Sequence, residues 1–244
     1  MHAAISPTRA EPPLILALDI GSSSLRAALF DRLGRAVQGI EAREPYQVHY
    51  TADGGAEVDA DALLALLFQC IDAALVRAGP LAERIAGVAG CSFVNNILGL
   101  DAADRPATPI TTYADTRAAA MAPGLRADFD EAACHQRTGC LFHPSYLPAR
   151  LRWMAAARPD WLRNSTRWVS VGEYLELRLF GRAAVSYSAA AWTGLLDRRR
   201  LCWDEPLLAG LPIGVGQLSP LVDLSAARRG LQPALAARWP ALAQ

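Results

Sequence analysis

Two short apolar runs joined by one small, polar turn constrain this chain most. Leu14-Ile-Leu-Ala-Leu18 stops at Asp19-Ile-Gly-Ser-Ser-Ser24, and Leu25 to Phe30 resumes a strand-like texture, so the segment predicts a β-hairpin. Asp31-Arg-Leu-Gly34 supplies a second turn and Arg35 to Ile40 a third strand, giving an antiparallel meander. The period then changes. From Asp59 to Arg77, apolar residues at Leu63, Leu66, Leu67, Cys70, Ile71, Ala74 and Leu75 follow helical spacing, with Asp59 as N-cap and Gly79-Pro80 as stop. Ile85 to Cys91 and Ile97 to Leu100 read as further strands around a polar junction, Ser92 to Asn96. This order predicts a mixed α/β layer with the helix covering the sheet. Beyond Thr116 the texture is helical, over Ala118 to Leu125, Phe129 to Gln136, Pro144 to Ala157 and Val171 to Phe180, with Asn164-Ser165 and Gly181 as breakers. No repeat or linker divides the chain, so one domain with a helical insertion is expected after a disordered leader, residues 1–13.

Composition excludes several function classes. The 24 basic side chains are all Arg and are balanced by 24 Asp and Glu, which argues against a polyanion-binding face. Without lysine there is no P-loop of the Gly-rich, Lys-Ser/Thr type. At 244 residues the chain can bury a core without disulfides. Five cysteines with no C-x-x-C pair read as reduced thiols. Met1 to Pro13 has no apolar h-region and no stretch reaches the ~18 apolar residues of a membrane span, so a cytoplasmic protein is expected.

The turn carries the chemistry. A strand delivers Asp19 to the sheet end, Gly21 permits tight backbone geometry, and Ser22, Ser23 and Ser24 offer hydroxyls and N–H groups that can cradle an anion. A carboxylate beside such a turn suits magnesium bound to phosphate. The same residues also make an ordinary hairpin turn.

Leu14 to Asp31 (LILALDIGSSSLRAALFD) resembles the first phosphate motif of the FGGY family of carbohydrate kinases, members of the actin-like, ribonuclease-H-like superfamily. Gly87 to Asp101 (GVAGCSFVNNILGLD) is similar to that family's second sheet segment and Pro109 to Arg117 (PITTYADTR) to its W-x-D-x-R segment. Thr138 to Trp153, Ser170 to Gly181 and Ser186 to Trp203 follow in the family's order. TGC-x-x-HPSY with S-x-x-EYL-x-x-RLFG looks most like the gluconate kinase branch, and xylulose and glycerol kinases are similar but less close.

The resemblance implies two ribonuclease-H-like lobes around a cleft, of which residues 14–244 would be the first, substrate-side lobe: an α/β fold with a mixed β-sheet and a helical insertion. It implies ATP and Mg as cofactors. Asp19 would hold Mg²⁺ through water, Gly21, Ser22, Ser23 and Ser24 would approach the terminal phosphate, and Arg26 matches the basic residue closing that motif. On the substrate side Val94 and Asn95 stand where relatives place Met-His or Arg-Glu, and Asp115 matches the acid of W-x-D-x-R. Tyr113 replaces the family's Trp, Ala114 its polar neighbour, and Ser186 and Ala191 stand where relatives carry Asp and Ser. The family's base is an Asp in a G-x-G-D segment opening the second lobe. That Asp is expected beyond Gln244, because Gly214-Val-Gly-Gln217 has the spacing without the Asp. The expected partners are therefore a small sugar or sugar acid and a C-terminal lobe, in cis or in trans, with no nucleic acid and no membrane. The chain alone is expected not to turn over. The alternatives are a catalytically silent polyol-binding module and one half of a split kinase.

Two other groupings are weaker. Cys134, His135, Cys140 and His143 have no repeated knuckle spacing, so zinc is not expected. The six tryptophans read as packing residues, with Trp192, beside Thr193-Gly194, the exception kept for sugar stacking.

Overall fold

The computed structural model describes residues 4–223, 225 and 227–243. Strands β1 (Leu14–Ile20), β2 (Ser24–Phe30) and β3 (Ala36–Pro45) form the expected meander. Two short strands, β4 (His49–Tyr50) and β5 (Ala56–Val58), precede helix α1 (Ala60–Ala78), after which β6 (Ile85–Ser92) returns parallel to β1. The sheet order is β3-β2-β1-β6, antiparallel within the meander and parallel at β1–β6, so the sheet is mixed.

Helix α1 forms because its apolar residues recur on one face. Asp59 caps it by accepting from the Ala62 amide at 2.7 Å, and Gly79 at φ +52° ends it. Leu63, Leu67, Cys70, Ile71 and Ala74 are buried against Leu25, Ala27, Ile40 and Ala42 of the meander. Each such leucine contributes roughly 1.5–3 kcal/mol of burial. The stretch Ala60–Arg84 is long and apolar enough to cross a membrane by composition, yet it presents this buried stripe to the sheet. Helix α6 (Val171–Phe180), held at its start by a Ser170–Glu173 capping box, adds Val171, Tyr174 and Leu177 to the same core.

Residues 79–84 lead into β6, and β7 (Leu98–Leu100) and β8 (Ile110–Thr111) follow it. The expected helical insertion has its own core. Helices α2 (Met121–Asp128), α3 (Glu131–Thr138), α4 (Leu147–Ala157) and α5 (Pro159–Asn164), with β9 (Arg167–Val169), surround Leu125, Leu151, Met154, Trp161 and Trp168. Strand β10 (Val185–Ser186), helix α7 (Tyr187–Ala191), β11 (Leu196–Asp197), β12 (Cys202–Trp203) and helix α8 (Glu205–Leu208) close it. Strand β13 (Leu221–Val222) pairs with β10, and helix α9 (Pro233–Arg238) returns to α1, where Trp239 donates to Asp72 at 2.7 Å. Several helix starts lie two or three residues later than the periodicity suggests. Asp130 caps α3 through the Ala133 amide, and Pro148 sits in the first turn of α4.

Residues 4–13, expected as part of a disordered leader, lie against the meander. Ile5 is buried and bridges to Val37, and Glu11 pairs with Arg32 and Arg35. Asp31 fixes the β2–β3 turn by accepting from the Leu33 and Arg35 amides at 3.0 Å and from the Arg35 guanidinium. That guanidinium holds the Asp31 carboxyl down at about 2. A depressed carboxylate stabilises the fold above the unfolded-chain value of about 3.9 and loses that contribution as pH falls through about 2. Asp31→Asn should therefore lower the urea midpoint at pH 6, and the gap to the parent should narrow steadily between pH 4 and pH 2.

Candidate functional site

The β1–β2 turn is closed by the Gly21 amide, which donates to the Ser24 carbonyl at 3.0 Å. A Cβ on Gly21 would sit 3.0 Å from that same oxygen, so a larger residue would push the turn open and glycine keeps it closed. Ser22 and Ser23 are exposed and Ser24 is half-buried. The end of β3 clasps the turn: the Tyr46 hydroxyl donates to the Gly21 carbonyl at 2.7 Å, and the Tyr46 amide to the Ser23 carbonyl at 3.2 Å. Burial, and then proximity to Tyr113, push the Tyr46 hydroxyl up to about 12, so it stays a donor at neutral pH. Tyr46→Phe should cost about 1 kcal/mol in chemical denaturation and speed amide exchange at Gly21.

Register places four side chains in a row across the sheet beside this turn. Cys91 opposes Asp19, Asp19 opposes Arg26, and Arg26 opposes Arg43, on β6, β1, β2 and β3 respectively. Opposed residues share a face. Asp19 is exposed, with the Cys91 thiol 3.5 Å from its Oδ1. The thiol is pushed up by burial and then by the Asp19 carboxylate. Arg26 pairs with Glu41 at 3.3 Å, and the Arg43 guanidinium donates to the Ser24 hydroxyl at 3.0 Å. Two exposed carboxylates, Asp19 and the Arg26-paired Glu41, thus meet three hydroxyls and two guanidinium groups at one sheet end. Arg43 lay outside the sequence reading because the third strand was ended at Ile40, three residues short of it. Tyr46 is separated from its partners by more than twenty residues and carries no local signal.

The polar junction after β6 is fastened to the same end. The Phe93 amide donates to the Ile20 carbonyl at 2.9 Å, and the Asn96 side chain bonds the Phe93 carbonyl and accepts from the Val171 amide. Between these anchors Asn95 is held at φ +56°, and its Oδ1 is buried without a hydrogen-bond partner. Val94 beside it is 37% exposed. Ile97 pairs with Thr111, which brings the segments carrying Asn95 and Tyr113 alongside each other. Tyr113 is 49% exposed.

Asp115, expected against sugar hydroxyls, is buried with its carboxylate engaged. It lies 2.6 Å from the Arg117 guanidinium and accepts from the Ala56 amide at 3.3 Å. A carboxylate buried to this degree needs such partners. Ser186 caps α7 through the Ala189 amide, and Trp192 is exposed at the end of that helix. Cys134 is buried while His135 is exposed, and among the described residues no group of three or more metal-binding side chains forms.

These residues fit a magnesium-phosphate group. Asp19 offers hard oxygen ligands to water-borne Mg²⁺, and the close Gly21 turn leaves the Ser22 and Ser23 hydroxyls exposed to phosphate oxygens, with Ser24 beside them engaged by Arg43.

The chain is similar in sequence and fold to known proteins. The sequence is 27% identical over 223 residues to a gluconokinase of Bacillus subtilis (strain 168), covering 91% of this chain and 42% of that protein. It is 32% identical over 212 residues to an autoinducer-2 kinase of Enterobacter sp. (strain 638), covering 86% and 40%. Among solved structures, a xyloylose kinase from Brucella ovis superposes with a TM-score of 0.85 at 29% identity, covering 93% of this chain and 46% of that one. A gluconate kinase from Lactobacillus acidophilus gives 0.83 at 23% identity and shares the fold. The chain therefore spans less than half the length of these relatives. The fold is that of the sugar kinases, actin-like and ribonuclease-H-like. Residues 14–244 match the N-terminal domain model of the FGGY family of carbohydrate kinases, and the chain belongs to that family.

Proposed function

We propose that this chain is the substrate-side lobe of an ATP-dependent carbohydrate kinase acting in the cytoplasm, which transfers the γ-phosphoryl group to a hydroxyl of a sugar or gluconate-like sugar acid. Asn95 carries the reading. A left-handed backbone position and a side-chain amide whose Oδ1 is left without a partner, beside an exposed Asp-Gly-Ser turn, support a side chain that would turn to meet a ligand hydroxyl.

Asn95 would turn its side-chain amide to one sugar hydroxyl, with Val94 and Tyr113 giving the ring apolar contact. Asp115 would act through position, keeping the Thr112–Thr116 segment in place rather than touching substrate. Gly21, Ser22, Ser23 and Ser24 would receive the terminal phosphate, and Arg26 with Arg43 supplies positive charge beside them. Asp19 would hold Mg²⁺ through water. When bound, Mg²⁺ neutralises charge on the phosphate oxygens.

Transfer also requires a proton acceptor at the attacking hydroxyl. Of the three carboxylates in this site, Asp19 is assigned to metal, Glu41 is paired with Arg26 and Asp115 with Arg117. The 244 residues by themselves are therefore expected not to turn over, and to need the base and adenine contacts of a second lobe. Calorimetric titration with gluconate, xylulose and glycerol tests the pocket directly. The expected result is saturable binding of one of them, weakened at least tenfold in Asn95→Ala with an unchanged fold. Binding indifferent to Asn95 would overturn the site assignment, and steady ATP-dependent phosphorylation by the chain alone would overturn the need for a second lobe.

A further inference from the structure

Arg150, in the second turn of α4, is a buried cation whose partners are carbonyls. It is 3% exposed, and among the described residues it forms no ion pair. Its Nη1 donates to the Thr111 carbonyl at 3.1 Å and to the Thr111 hydroxyl at 3.3 Å, its Nη2 donates to the Thr112 carbonyl, and its buried Nε has no partner. Burial pushes the guanidinium down to about 10, with Asp115 opposing and Arg117 adding to the shift, so it is charged at neutral pH. A charge in such a place is costly, and an apolar side chain of similar length would fill the space without that cost.

The two carbonyls belong to the frame of the candidate sugar site. That of Thr111 also accepts from the Ile97 amide at 3.2 Å, two residues after Asn95. That of Thr112 also accepts from the Asp115 amide at 3.1 Å, which closes the turn Thr112–Asp115 whose second residue is the exposed Tyr113. At its start α4 is itself tied to the segment after Trp192, the Leu147 amide donating to the Thr193 carbonyl at 2.9 Å. One planar fork thus joins the strand leaving the Asn95 loop to the turn presenting Tyr113. We propose that Arg150 is a positioning residue for the sugar site, which holds the Tyr113 turn at a fixed distance from the Asn95 loop and so sets the affinity for the sugar without touching it. The proposal rests on the sugar-site reading above. If the guanidinium is removed, each carbonyl keeps its backbone donor and no acceptor is stranded, so stability and site geometry separate on substitution.

Arg150→Met, which fills much of the volume and carries no donor, tests this in the full chain. The expected result is an unchanged urea midpoint, with hydrogen exchange about tenfold faster at the Ile97 and Asp115 amides but not at Gly21. Calorimetric binding of the sugar that the parent takes should weaken by about tenfold. Arg150→Lys, which returns a charged donor, should recover much of both losses. A lowered midpoint with exchange rising evenly along the chain would make Arg150 a structural residue and overturn the proposal. So would either local change, in exchange or in affinity, without the other, or a Lys variant no better than the Met variant. A parent chain that binds none of gluconate, xylulose and glycerol overturns the sugar-site reading and this proposal with it, an outcome visible before any substitution is made.

Discussion

Arg117→Ala should destabilise the chain by about 3–5 kcal/mol, the largest loss expected from any single exposed-looking Arg in the sequence. The side chain is 4% exposed, lies 2.6 Å from Asp115 and 2.7 Å from Glu57, and stacks on Trp153 at 4.3 Å with Trp161 at 5.6 Å. Removing it leaves the Asp115 carboxylate buried without its cation and opens a gap between two aromatic rings. The penalty comes mainly from that stranded charge. Arg117→Met, which keeps much of the volume, should recover only part of the loss, and Arg117→Ala combined with Asp115→Asn should recover more than additivity predicts. Urea denaturation of the parent, Arg117→Ala, Arg117→Met, Asp115→Asn and the double variant measures this. A loss under 1 kcal/mol for Arg117→Ala would show that the cluster contributes shape without net energy. The consequence reaches the site, because the same segment carries Tyr113.

That cluster also shows which parts of the molecule were legible in the sequence. The hairpin, the third strand, helix α1 and the return strand β6 follow from local period and local punctuation, and their identity needs no distant partner. Asp19, the Gly21 turn and the serines were legible because one short segment carries them all. The Arg117 cluster draws on Asp53 and Glu57 before it and on Trp153 and Trp161 well after it. No periodicity links such positions, so Asp115 looked available for a ligand when it is committed to the fold. The strands of two or three residues, β4, β5 and β8, are likewise too short for alternation to register and exist through pairing with one another within the chain. Ile5 follows the same rule, since a lone apolar residue in a polar leader gains meaning only from the β3 edge it covers.

If the proposed function holds, Asp19→Asn should reduce kcat/KM of the chain combined with its second lobe by roughly 10²–10³-fold, about 3–4 kcal/mol of transition-state stabilisation, while leaving the fold and sugar affinity unchanged. The reason is geometric and electrostatic together. Asp19 is the exposed carboxylate of the row that also holds Arg26 and Arg43, and it stands directly before the turn whose hydroxyls face outward. An amide keeps the size and loses the charge that, on the proposed function, would hold a divalent ion near the phosphates. The change has a second readout in the chain alone. The Asp19 carboxylate contributes to raising the Cys91 thiol, so Asp19→Asn should lower that thiol toward its ordinary value and speed its alkylation at pH 8 several-fold. Asn95→Ala should behave oppositely, raising KM for the sugar without touching Cys91. Faster alkylation with undiminished kcat/KM would leave Asp19 as a neighbour of the thiol and move the metal-holding role elsewhere. Loss of both sugar affinity and turnover in Asp19→Asn would instead mean that the turn and the Asn95 loop, joined through Phe93 and Ile20, respond as one unit.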